Sequence, residues 1–333
     1  MRPGMLRWQA TTRAWRAKCE DGARFGIIGI RDPTTPQLLG QLELAAPAIA
    51  VAVSGDQACV TDQQGDVYVI SIRDPVRPQR VGRYRAGGEP VGLAVADNLA
   101  FLGVYRTIDG TPIETWLEVV ELQNPACVTP LGIYPGDEVR AVAAAGDLIV
   151  VNNGPRVEVV DAGEPARPQQ VGLAVLLEDG GDGEDVVVSG GFAYVATSSG
   201  RLQVVDLRQP TQPQRVGDCV TSGLAKGVAV SGVHAYVANA AGVGLQVIDI
   251  SNPTKPVVIG GYDWDGDALD VSVAADFEYN VRSWQEDGDD AGRAIDLRAG
   301  AGGALGSRSP GPFAAGSDLR GGLCANLADI FRH

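Results

Sequence analysis

The sequence predicts an all-β protein assembled from repeated four-stranded units. Three observations predict it: a strand–turn line returning six times, a second strand-pair line between its copies, and a composition rich in turn formers. The first line is a short β-branched strand, a polar residue and a turn with prolines three or more residues apart. It reads FGIIGIRDPTTPQLLG from Phe25, VYVISIRDPVRPQRVG from Val67 and LEVVELQNPACVTPLG from Leu117. It returns as VEVVDAGEPARPQQVG from Val157, LQVVDLRQPTQPQRVG from Leu202 and LQVIDISNPTKPVVIG from Leu245. The first proline of each turn falls at Pro33, Pro75, Pro125, Pro165, Pro210 and Pro253, a period of about 44 residues. The second line, clearest in DVVVSGGFAYVAT from Asp185 and KGVAVSGVHAYVAN from Lys226, is two strands around a Gly-centred turn. With 44 Gly and 20 Pro in 333 residues, short strands and tight turns are favoured over long helices. A four-stranded unit of this period, repeated, is the signature of a β-propeller blade.

Within each unit the strands are lettered A to D in chain order. A and B come from the second line, C and D from the first. Ala14-Trp15-Arg16-Ala17-Lys18 lines up with Ala235-Tyr236-Val237-Ala238-Asn239, so a degraded first copy begins near Leu6. At the other end LDVSVAADFEYNV from Leu269 supplies an A–B pair, and Ala294-Ile295-Asp296-Leu297 resembles strand C. Seven blades over residues 1–306 are expected, with six, closed by mixing strands from both ends, as the alternative. Residues 307–333 carry no repeat and read as a Gly/Ser/Pro-rich tail with a short helix at Leu323–Phe331.

The lines VVDLRQPTQPQRVG and VIDISNPTKPVVIG, each followed or preceded by VAVSG…AYVA, resemble the LVIVD-repeat family. The resemblance spans about 300 residues. It implies a β-propeller, usually on exported or cell-surface proteins, with no assigned catalytic residues. The N-terminal MRPGMLRWQATTRAWRAK lacks an apolar run of signal-peptide type, so the chain itself does not announce export.

The composition narrows the function further. Acidic residues outnumber basic ones 41 to 27, a net charge of −14 that repels phosphate and argues against nucleic acid or anionic membrane. No apolar stretch is long enough to span a bilayer as a helix. Histidine occurs only at His234 and His333, which leaves little room for His-based catalysis or His-rich metal sites. Five dispersed cysteines, with no CxxC, argue against a disulfide framework or a structural zinc. Asp161, Asp206 and Asp249 recur at the end of strand C beside the Pro turn. They are expected to accept hydrogen bonds from turn amides rather than to form a site. No GxSxG, HExxH or P-loop is present.

The irregular stretches point to one face. Long B–C connections occur at Tyr105–Trp116 and Arg282–Gly292, and long D–A connections at Leu176–Asp185 and Asp263–Asp270. In an up-and-down blade, B–C and D–A turns emerge at the same end, so these insertions share a face. Acidic residues concentrate there, whereas the C–D turns carry Arg31, Arg73, Arg77, Arg167, Arg208, Lys255 and Arg298. Oxygen-rich acidic loops suit calcium, and the candidate ligands are Asp182, Glu184, Asp185, Asp263, Asp265, Asp267 and Asp270. Asp185 and Asp270 occupy equivalent A-strand positions where other copies have Ala or Gly, and A strands line a propeller's channel. The leading expectation is a monomeric interaction module whose acidic face takes a protein, peptide or cationic glycan. The alternative is a lactonase-like hydrolase with a divalent ion at the channel mouth.

Overall fold

Alternating apolar residues in short segments bury one face or both, depending on how many layers cover them. In the computed structural model this alternation resolves into 26 strands among the described residues, which are 12–19, 22–29, 37–108, 111–124, 128–176, 181–262, 267–274, 278–284 and 293–298. The strands form seven antiparallel sheets in chain order, five of four strands and two of three. Blades 2 to 6 run Ala48–Arg85, Glu89–Gly136, Val139–Val175, Gly183–Val220 and Leu224–Tyr262. Blade 1 (Thr12–Leu44) contributes strands B, C and D, and blade 7 (Asp267–Arg298) strands A, B and C. The expected architecture is thus present, and no helix occurs among the described residues. The expected tail and its short helix lie outside them.

Each blade is a strictly sequential meander, and no single meander can cover its own apolar faces. The core therefore lies between blades. Six buried clusters each join two consecutive blades, for example Phe25 and Ile27 of blade 1 with Tyr68 and Ile70 of blade 2. Val157 and Val159 of blade 4 meet Val186, Ala193 and Val195 of blade 5 in the same way. Strands B and C read as continuous buried runs because neighbours cover both faces, whereas strand D alternates or is exposed.

The proline turn cements the same interfaces at one end. Strand D of blades 1, 3, 4 and 5 carries a Gly (Gly40, Gly132, Gly172 and Gly217) against which the next blade's turn packs. A Cβ at Gly172 would fall on the Pro210 carbonyl oxygen, and one at Gly132 on that of Pro165. The Asp preceding the turn caps it as expected. Asp161, Asp206 and Asp249 accept backbone N–H groups of Gly163, Arg208 and Ser251 at 2.8, 2.9 and 2.8 Å. Cys59 is fully buried in strand B of blade 2, and burial pushes its thiol up to about 12, so it serves as a small apolar group.

Two features were not legible in the sequence. Tyr105–Trp116 is not a free loop. Strands B (Leu99–Ile108) and C (Thr111–Glu121) of blade 3 simply continue their ladder out to the Ile108–Thr111 pair. Strand A of blades 2 to 7 also carries a β-bulge at one equivalent place, leaving Ile49, Val91, Arg140, Glu184, Lys226 and Leu269 outside the pairing.

Candidate functional site

The bulge decides which residues of strand A meet the neighbouring blades. Immediately after it come Ala50, Gly92, Ala141, Asp185, Gly227 and Asp270. Successive A strands pack side by side along blades 2 to 7. Space there is tight: a Cβ on Gly227 would stand 2.8 Å from the Asp270 Cα, so blade 6 needs glycine between its acidic neighbours.

Asp185 uses this closeness to tie two blades together. Its Oδ2 accepts the Val228 N–H of blade 6 at 2.9 Å, and its Oδ1 accepts its own blade's Val186 N–H at 2.8 Å. The residue keeps a partly exposed edge. Its carboxylate is nonetheless crowded by protein, and that burial pushes it up to about 7. The Asp270 charge pushes the same way, while the two amides oppose it. Asp270 itself is exposed. Asp185 therefore binds a proton near neutrality, with Glu184 just before it in the chain.

The remaining predicted ligands are turned to partners in adjoining blades. Asp182 takes the Arg140 guanidinium at 2.8 Å, and Arg140 also holds Glu138 at 2.5 Å. Glu184 pairs with Lys226 at 3.0 Å. Asp267 accepts the Ala241 N–H at 2.7 Å. Arg140, Glu184 and Lys226 are the bulged residues of blades 4, 5 and 6, so charge alternates in sign from blade to blade. Such half-exposed pairs contribute at most about 1 kcal/mol each, and they fix which side chain faces which. The cations Arg140 and Lys226 were missed in the sequence, although a lone cation in an otherwise apolar A strand was a readable signal. Among the described residues no three acidic, histidine or cysteine side chains gather as a metal site would require. Asp263 and Asp265 lie outside the described residues.

A cleft of about 390 Å³ opens between blades 2 and 3 on the B–C/D–A face. Gln63 and Gln64 from a B–C turn, Arg85 at the end of strand D, Gly87 and Gly88 of the D–A connection and Glu89 at the start of the next strand A line it. Arg85 is held at 3.4 Å by the buried Asp66, which also takes Arg83 at 2.6 Å. Sequence reading did not single out this region, because the connection is short and carries one charge of each sign. His234 opens strand B of blade 6 opposite Asp249, at the other end of the blade.

Comparison with known proteins agrees with this architecture. The LVIVD repeat matches residues 47–86, 180–221 and 222–264, which are blades 2, 5 and 6. Curated protein sequences give no significant match. Among solved structures, a functionally unknown protein of Desulfotomaculum acetoxidans DSM 771 superposes with a TM-score of 0.63 at 15% identity, over 78% of this chain and 89% of that one. The Cps50 (Swd1) β-propeller domain of Myceliophteria thermophila gives 0.63 at 10% identity, over 85% and 96%. BamB of Moraxella catarrhalis gives 0.52 at 12%, over 82% and 76%. At these identities the likeness speaks for the fold alone.

Proposed function

We propose that this chain, a β-propeller carrying LVIVD repeats, is a non-catalytic interaction module that presents its B–C/D–A face to a protein or peptide. One observation carries the reading: the cleft between blades 2 and 3 opens on that face, where side chains differ from blade to blade, and not on the uniform proline-turn end. Exposed acids stand on the same face. Glu89 and Glu114 stand on blade 3, and Asp137 and Glu138 on the connection to blade 4. A surface of that sign steers cationic partners and rejects anionic ones.

The test is selection of binding peptides from a random display library. Selected peptides are expected to be rich in Lys and Arg. They should lose binding to a Glu89→Lys, Asp137→Lys variant and keep it for Glu164→Lys at the opposite end. Peptides that ignore the first variant, or that lose binding only with the second, contradict the assignment of the face. A calcium-dependent rise in melting temperature that disappears in Asp185→Asn would instead favour the metal-dependent hydrolase.

A further inference from the structure

Blade 3 is taller than its neighbours. Its strand B has 10 residues and its strand C 11, where strand B of blades 2, 4, 5 and 6 has 6 or 7. Strand A accompanies strand B only as far as the Glu89–Tyr105 pair, and strand D accompanies strand C only as far as Gly136 and Thr115. Residues 106–108 and 111–114 therefore rise above the sheet as a two-stranded ribbon. Its base is fixed on both sides. The Tyr105 hydroxyl donates to Glu89 at 2.5 Å, while the Thr115 hydroxyl donates to the Gly136 carbonyl at 2.6 Å and accepts the Val139 N–H at 3.2 Å. Across the ribbon Arg106 pairs with Glu114 and lies 5.9 Å from the centre of the Trp116 ring.

A strand edge is a row of backbone donors and acceptors ready for another strand, and folds blunt such edges with bulges, prolines or cover. The outer edges here are blunted. Strand D of blades 1 to 6 skips one residue in its pairing with strand C, from Leu39 in blade 1 to Ile259 in blade 6. The strand C side of the ribbon has a bulge at Ile113 and also Pro112, which has no N–H. The strand B side has neither. Antiparallel pairs alternate between exchanging two hydrogen bonds and exchanging none. Pro112 stands opposite Thr107, so this pair is of the second kind, and Thr107 turns its N–H and C=O to the open edge. Among the described residues no strand pairs with that edge beyond Tyr105. The edge begins at the border of the cleft. Gly88 and Glu89 line the cleft, and a Cβ on Gly88 would stand 2.3 Å from the Tyr105 carbonyl oxygen.

Resting on the proposed role of this face, we infer that the open edge of strand B in blade 3, Arg106–Ile108, receives an extended basic segment of a partner protein as an added β-strand. The segment takes up the line that strand A leaves at Glu89, and its backbone bonds to that of Thr107. Arg106 is already neutralised by Glu114. Glu89 stands at the foot of the edge and Asp137 is exposed on the same face, so lysine and arginine are favoured on the added strand.

The probe is an alternating Lys–Val heptapeptide, a cationic strand former, titrated calorimetrically onto the whole chain. N-methyl groups on its lysines or on its valines remove one or the other of the two alternating sets of N–H donors. An added strand turns only one set toward strand B, so one methylated form is expected to bind like the parent and the other about tenfold more weakly. Thr107→Pro, whose lost N–H faces the open edge, is expected to weaken the parent about tenfold, and Thr107→Ala to match wild type. Equal binding by the two methylated peptides overturns the inference, as does equal binding by Thr107→Pro and wild type, or no binding of the parent peptide. A chain that sediments as a dimer and becomes a monomer with Thr107→Pro overturns it too, because the occupant is then a second copy. Loss of the parent peptide in Glu89→Lys, Asp137→Lys with Thr107→Pro unaffected removes the edge and leaves the face standing, so the two readings fail separately.

Discussion

The two ends of this propeller are built on opposite rules. At the C–D end several blades share the same parts: Asp161, Asp206 and Asp249 cap the turns of blades 4 to 6, prolines stiffen those turns, and a glycine in the preceding blade makes room for each. At the B–C/D–A end the described junctions differ from one another. Blades 4 and 5 meet through Arg140 and Asp182, blades 5 and 6 through Glu184, Lys226 and Asp185, and blades 6 and 7 through Asp267 on a backbone amide. Blades 2 and 3 leave a cleft instead. Repetition holds the ring's parts in place, and variation makes one face different from its neighbours' and thus able to recognise something.

The comparison is broken most severely at the repeated end. Gly172→Ala pushes a methyl group into the Pro210 carbonyl, where neither backbone can yield cheaply. It is expected to cost about 3 kcal/mol, read as a lower denaturation midpoint, whereas alanine at Gly55, which sits at positive φ but has nothing within 4 Å, should cost less. If the two cost the same, the glycine–proline contact is not what ties the blades.

A smaller, pH-dependent effect is expected at the varied end. Asp185 titrates near 7 when folded and near 3.8 when free, so the folded protein holds this proton more tightly. Its contribution to stability is full below pH 3.8 and is lost as pH rises through 7. Wild type should therefore gain about 2 kcal/mol over Asp185→Asn on going from pH 8 to pH 5, the partly exposed edge screening the remainder. Parallel melting curves for the two proteins across that range would remove Asp185 as the titrating group.

Much of the first rule was legible because it is written six times. The Asp–Pro line gave both the period and the strand order, and the turn-capping role of Asp161, Asp206 and Asp249 followed from their recurrence. The second rule was harder to read because it depends on which blades become neighbours. Asp182, Glu184 and Asp185 stand close together in sequence and suggested a common ion. The bulge in strand A instead sends Glu184 to Lys226, while Arg140 reaches across to Asp182.

The central claim is that recognition belongs to the variable face. Hydrogen exchange of the whole chain with and without a selected basic peptide tests it most directly. The account predicts slowed exchange at residues 63–65 and 85–89, where the B–C turn and D–A connection frame the cleft, and none at the proline turns 73–78, 163–168, 208–213 and 251–256. Protection at those turns, with residues 63–65 and 85–89 unchanged, would contradict it.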